Sequence, residues 1–307
     1  MHRTIEITTA NADTEPLLRE LEPLKEVTGL SVARAASIKP KGDVITVHVL
    51  NRGADAVLKR AREHGGERVS IVTAELTSII DKQHKEAVDR DVDEAIWEEM
   101  ETGLRHQGRV TANYVALMAL GGMIAAVGLV SEPAPQAIAF VAASIIAPGF
   151  EPLAKIPLGL VLGHWDVVKR GLLSAIVGYA VLILAAGLAM YLLLATHTVT
   201  LAEFTGNPEI ENISRPKLKE ILVPACGAIA GMVMIAAYRR SVIAGPLIAV
   251  VIIPAGAMIG ASIAAGQTRL IVEASERLGL DVLMILIAGV IVFFIKQLLV
   301  HRRKPIV

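Results

Sequence analysis

A single cysteine, Cys226, stands among 307 residues, so no disulfide can close within the chain. It lies in an apolar run, where a small buried residue is the expectation. A charge imbalance is missing as well. Thirty basic and thirty acidic side chains leave a formal net charge of +0. With no basic field, nucleic acid is not an expected partner. Nor does an apolar stretch follow Met1, where the chain reads His-Arg-Thr-Ile-Glu-Ile. No cleavable signal peptide is expected, and a later span must direct insertion. Sets of side chains suited to catalysis are also wanting. His2, His48 and His64 are not spaced as metal ligands and read as surface or edge histidines. We therefore expect no enzyme, no cofactor and no metal.

Hydrophobic residues, by contrast, are abundant and unevenly spread. They make up 53% of the chain, with a mean hydropathy of +0.56. Charges crowd into residues 1–110, and long apolar runs with short charged punctuation follow. The division expected is a cytosolic domain over 1–80, an amphipathic connecting helix over 81–112 and a transmembrane domain over 113–307.

In the front part, 4–8 alternates apolar and polar as a half-buried strand does. Leu17, Leu18, Leu21 and Leu24 fall at helical spacing over 14–26, with Pro16 in the first turn. Strands are expected over 29–37, 43–50 and 69–74, and a helix over 53–64 stopped by Gly65-Gly66. The order β-α-β-β-α-β is the split pattern of a ferredoxin-like α+β sandwich. Fold gives no function by itself, and a regulatory or assembly role is the expectation. Over 82–107, Val88, Val92, Ala95 and Met100 approximate one face of a helix. It either lies on the membrane with Trp97 at headgroup level or packs as a solvated connection.

Six spans of roughly 20 apolar residues are expected, over 114–130, 136–163, 171–195, 221–237, 242–265 and 282–300. Arg105, Arg109, Lys169, Arg170, Arg239, Arg240, Arg302, Arg303 and Lys304 then share one side. By the positive-inside rule both termini are cytoplasmic, in a multi-pass protein of the cell (inner) membrane. Loops over 196–219 and 266–281 fall on the other side.

Two spans carry interruptions. Ser144-Ile-Ile-Ala-Pro148-Gly149-Phe-Glu151-Pro152 sits near the centre of the second, and Ile253-Pro254-Ala-Gly256 in the fifth. Proline removes backbone donors, and unsatisfied backbone at that depth needs protein or water around it. A shift of about 106 residues lays Pro148 on Pro254 and the first three spans on the last three. Three spans is an odd number, so the halves run oppositely, as a 3+3 inverted repeat with two broken helices. A rival register sets Pro157-x-Gly159-x-x-x-Gly163 on Pro254-x-Gly256-x-x-x-Gly260 and fits the flanking spans less well.

Glu151 and Lys155 are the only strong charges read deep inside a span, with no counterpart in the second half. A charge there costs at least about 2.5 kcal/mol on insertion scales. At i, i+4 they share a helical face. Either Glu151 takes a proton or cation and Lys155 an anionic group, or the pair staples two helices. The expected solute or ion site therefore comprises Glu151, Lys155, Ser144, Pro148, Gly149, Pro254 and Gly256. Gly159/Gly163, Gly227/Gly231 and Gly256/Gly260 allow close helix packing, within the chain or in a dimer. His164-Trp165-Asp166 reads as an interfacial anchor.

These stretches resemble the bacterial and archaeal membrane proteins grouped as domain of unknown function 389. The family has a Ser-Pro-x-x-Gly-Pro-like break leading into a Gly-rich helix, then a second proline-broken span after a short Arg-rich loop. Residues 142–163 and 236–260 match that pattern, and 1–80 resembles the family's small N-terminal α/β domain. The first break departs from it, reading Ala147-Pro148-Gly149-Phe150-Glu151-Pro152. The resemblance implies architecture, not a substrate. The expectation is a transporter or channel-like carrier of a small polar solute or ion, forming homo-oligomers among membrane lipid. The competing expectation is a membrane sensor or scaffold.

Overall fold

The computed structural model describes residues 2–299 except 77, 78, 80, 83, 93, 107, 239 and 240; the side chains of 67, 238 and 241–251 are likewise outside the description. Arg239, Arg240, Arg302, Arg303 and Lys304, used above for orientation, lie outside the described residues. Two compact units divide the chain; among the described residues one takes in 2–98 and 298–299, and the other Glu99–Gln297.

The first unit is a four-stranded antiparallel sheet with helices. Its elements are β1 (Arg3–Thr9), α1 (Asn11–Leu21), β2 (Val27–Ile38), β3 (Lys41–Val49), α2 (Ala54–Gly65) and β4 (Ser70–Glu75), in sheet order β2-β3-β1-β4. The expected order of elements is the one observed. Alternation on β1 buries Ile5 and Ile7, which pair with Val47 and Ile45 of β3. Leu17 and Leu21 of α1, and Val57, Leu58 and Ala61 of α2, close the core over that face. Helix α1 ends earlier than its pattern implied, because Pro23 has no N–H to extend the ladder.

The helix expected over 81–112 is not continuous. The structure has α3 (Lys85–Asp89) and α4 (Trp97–His106) instead. The chain between them is held by the front unit itself. Asp91 Oδ2 accepts from the Asn51 backbone N–H at 2.7 Å, while the Asn51 side chain donates to the carbonyls of Val92 and Glu94. Backbone acceptors engaged in this way are lost to a helix. Trp97 is fully buried, so it is not at headgroup level.

The second unit is helical: α5 (Ala112–Gly128), α6 (Pro133–Ile146), α7 (Phe150–Leu162), α8 (Trp165–Ala195), α9 (Leu201–Gly206), α10 (Pro208–Ser214), α11 (Leu218–Tyr238), α12 (Ser241–Ala264) and α13 (Thr268–Leu299). Among the described residues three helices, α8, α11 and α13, are long and apolar enough to cross a membrane, and the bent pair α6–α7 makes a fourth. Several such helices mark a multi-pass membrane protein. Helix α8 packs against α5, α7 and α12. Its contact with α12 is backbone-close: a Cβ on Gly260 would stand 2.0 Å from the Ile183 carbonyl oxygen. Gly256 and Gly260 are thus used inside the chain.

Three expectations are corrected here. Helix α12 runs unbroken through Pro254, so among the described residues one broken span is present. Proline forfeits one hydrogen bond, and a helix packed on its neighbours carries that loss; Ile252 to Ala261 are all buried. Residues 266–281 are not a loop, since α13 begins at Thr268. Cys226 is exposed on α11 rather than buried.

Candidate functional site

The break lies at Ala147-Pro148-Gly149, where α6 and α7 meet at 51°. Pro148 disfavours the α region for the residue before it, and Ala147 takes φ −81° and ψ 114° accordingly. The freed polar groups find partners. Gly149 N–H donates to the Ala147 carbonyl at 2.8 Å, and the Tyr179 hydroxyl of α8 donates to the Gly149 carbonyl at 3.2 Å. Pro152 falls in the first turn of α7, where a missing N–H costs nothing.

The break reaches the segment read as the second one. A Cβ on Gly149 would lie 3.0 Å from Ile253 Cδ1 and from the Tyr179 hydroxyl, and one on Gly256 would meet Leu182 and Tyr179 of α8. Gly149, Ile253 and Gly256 therefore gather around Tyr179. Pro254 faces a different space. It lines a cleft of about 360 Å³ with Phe140, Glu209, Lys219, Glu220 and Arg277. Ser144 is buried, and its hydroxyl donates to the Phe140 carbonyl at 2.7 Å, one turn back in its own helix.

Glu151 and Lys155 occupy the first two turns of α7, a helix enclosed by protein at every position from Phe150 to Gly159. Glu151 is 9% exposed and Lys155 3%. Lys155 Nζ donates to the Gly108 carbonyl at 3.0 Å. Gly108, at φ +61°, makes the left-handed turn that precedes α5. Lys155 interacts electrostatically with Glu151 and Arg170. Glu151 lies within electrostatic reach of Tyr114 and Tyr179, and Tyr179 within reach of Asp281.

Asp281 belongs to the charges that sequence reasoning missed. Arg277 Nε donates to Asp281 Oδ2 at 2.9 Å, and Arg277 Nη2 to the Glu220 carbonyl at 2.9 Å. The pair is buried, at 6% and 1% exposure. Among the described residues Arg277 Nη1 and Asp281 Oδ1 have no hydrogen-bond partner. Lys296 is also buried and donates to the Ala236 carbonyl at 2.8 Å. The second half thus does hold buried charge, on α13 rather than α12. The i, i+4 spacing of Arg277 and Asp281 was the available signal, hidden because 266–281 read as a loop.

Electrostatic reach thus links Lys155 to Glu151, Glu151 to Tyr179 and Tyr179 to Asp281, which is hydrogen-bonded to Arg277. Lys155 lines a second cavity, of about 700 Å³, beside the N-terminal turns of α8. The Arg277 cleft is lined by α10, which follows the C-terminal end of α8. His164 Nδ1 stands 3.3 Å from Glu101 Oε2, and Trp165 is 64% exposed, as an interfacial anchor is. Among the described residues no cluster of three or more His, Cys, Asp or Glu suited to a metal ion is present.

Residues 144–287 match the family model described as Domain of unknown function (DUF389). No curated protein and no solved structure matches the chain. The match opens at Ser144, immediately ahead of the break, and closes at Ile287 beyond Asp281. The break, the buried Glu151 and Lys155 and the Arg277–Asp281 pair all fall within it, and over these residues the chain is similar to that family.

Proposed function

We propose that the protein is a membrane carrier of a small polar solute or ion, working at the helix break beside Glu151. The observation that carries this is the buried polar series from Lys155 through Glu151, Tyr179 and Asp281 to Arg277. Its first member lines the cavity beside the start of α8 and its last lines the cleft that also holds Pro254. Ionisable groups at such depth are costly, and in membrane proteins they mark pathways for ions and solutes. Enclosure of α7 by protein supports the same reading, because broken backbone survives only where protein or water surrounds it.

The architecture proposed is six spans in a 3+3 inverted repeat. Helices α5, α6–α7 and α8 correspond to α11, α12 and α13, with the break in the first half alone. Repeats of this kind carry secondary-transporter sites near the midplane. Arg105, Arg109, Lys169 and Arg170 support cytoplasmic termini and a cytosolic front unit with a regulatory or assembly role. A homo-oligomer remains part of the proposal, resting on the number of small residues in the spans rather than on Gly256 and Gly260, which pack within the chain.

The test is flux from proteoliposomes across a panel of inorganic ions and small polar solutes. Wild-type protein is expected to move at least one class. Glu151→Gln and Asp281→Asn are each expected to slow it by about tenfold or more. Undiminished flux in Glu151→Gln removes Glu151 from the mechanism. No flux across the whole panel defeats the carrier reading and leaves a sensor or scaffold.

A further inference from the structure

The cavity of about 700 Å³ is lined by Arg105, Arg109, Lys155 and Arg170, with a single carboxylate, Glu101, among its walls. That carboxylate is already engaged. Glu101 Oε1 accepts from Arg105 Nη2 at 2.6 Å, while Oε2 lies 3.3 Å from His164 Nδ1 without a hydrogen bond among the described residues. Among the described residues the side chains of Arg109 and Arg170 have neither a carboxylate partner nor a hydrogen bond. Lys155, almost wholly buried, has one of its three ammonium protons accounted for, by the Gly108 carbonyl. It feels the opposite charge of Glu151, on its own helix, and more weakly the like charge of Arg170.

Like charges gathered around an open space, one of them desolvated, raise the free energy of the empty cavity. An anion between Lys155 and Arg170 turns that repulsion into two attractions. Two guanidinium groups and an ammonium supply several donors on different sides, which suits the tetrahedral oxygens of a phosphoryl group better than a monovalent halide. Position agrees with this chemistry. Arg170 sits in the second turn of α8, a helix of 31 residues. At 1.5 Å per residue α8 is about 46 Å long, more than the ~30 Å hydrocarbon core. Its first turns thus reach headgroup level.

We propose that Arg109, Lys155 and Arg170 form a binding site for a phosphate oxyanion, carried either by free phosphate or by an anionic lipid headgroup. The site stands independently of the carrier reading, because it requires no flux.

The experiment uses the full chain, purified and stripped of lipid. Thermal melting is followed with sodium phosphate or sodium chloride at equal ionic strength, and in nanodiscs with or without phosphatidylglycerol. Native mass spectrometry counts retained lipid. Phosphate is expected to raise the melting temperature saturably where chloride does not, and phosphatidylglycerol to do the same if the headgroup is the source. The Arg109→Gln/Arg170→Gln double variant is expected to weaken binding by about tenfold or more. Both side chains are exposed, and their removal relieves repulsion in the empty cavity, so the unliganded melting temperature is expected at or above the wild-type value. Stabilisation by phosphate alone assigns the site to a soluble anion; retained phosphatidylglycerol that the variant loses assigns it to lipid. Equal melting in phosphate and chloride together with no lipid effect overturns the proposal, as does a double variant that binds like wild type.

Discussion

Asp43 is the residue of the front unit whose chemistry is most tightly bound to its shape. Its carboxylate accepts the Ala35 N–H at 2.7 Å, the Thr14 hydroxyl at 2.8 Å and Arg34 Nη1 at 3.1 Å. Ala35 takes φ +48° inside the register shift between β2 and β3, so Asp43 holds an irregular edge to α1. The Ala35 hydrogen bond, more than the others, lowers the Asp43 pKa below its ordinary value of 3.8. The sign follows from linkage. A carboxylate whose pKa falls on folding contributes its full stability above the unfolded value and loses it as pH drops through the folded value. Wild-type protein is therefore expected to lose front-unit stability progressively below pH 3.8, while Asp43→Asn starts lower and lacks this component of the acid transition. Urea melts of both proteins between pH 6 and pH 2.5 check this. Parallel curves would show that Asp43 does not contribute.

At the scale of elements, two prolines with similar surroundings in the sequence behave differently. Pro148 is followed by Gly149 and then Pro152, so three residues within five resist or abandon the helix, and the chain turns by 51°. Pro254 stands after Ile252 and Ile253 in a helix that continues for ten residues beyond it. Spin labels at Ile138 and Leu160, both exposed, read the angle directly once the exposed Cys226 is replaced by serine. Pro148→Ala is expected to lengthen the separation by ~3 Å as the pair straightens, and Pro254→Ala to leave it unchanged. An equal response to both would restore the symmetric pair of breaks. The first break was legible in the sequence because proline and glycine act locally. Helix α12 was not, because its continuity rests on neighbours that a local pattern does not contain. The same limit hid Arg277 and Asp281, whose charges made a helical segment look like a loop. Glu151 and Lys155 stood out because the residues beside them are apolar and left their cost in plain view.

For the molecule as a whole, the question is where the front unit ends. Composition and strand pattern place the boundary at about residue 80, after the last strand. The structure carries the compact unit to Glu98. Ile96 is fully buried and belongs to the same core as Ile5, Leu17 and Val57. Arg3 Nη2 donates to the Glu94 carbonyl at 2.9 Å, and Asp91 receives His2 and Arg52. The described residues of 90–96 thus form a strap tied to the start of β1 and to Asn51 and Arg52, held by several hydrogen bonds and by Ile96 in the core. Burying an isoleucine contributes roughly 1.5–3 kcal/mol, and each hydrogen bond about 1 kcal/mol, less the entropy of ordering the strap. A fragment of residues 1–98 is expected to unfold cooperatively and to be more stable than a fragment of 1–80 by about 2 kcal/mol or more. Ile96→Ala in the longer fragment is expected to remove most of that difference. Urea titrations of the three fragments, read by circular dichroism, measure it. If 1–80 is as stable as 1–98, the strap is an attachment rather than part of the core, and the boundary returns to the end of β4.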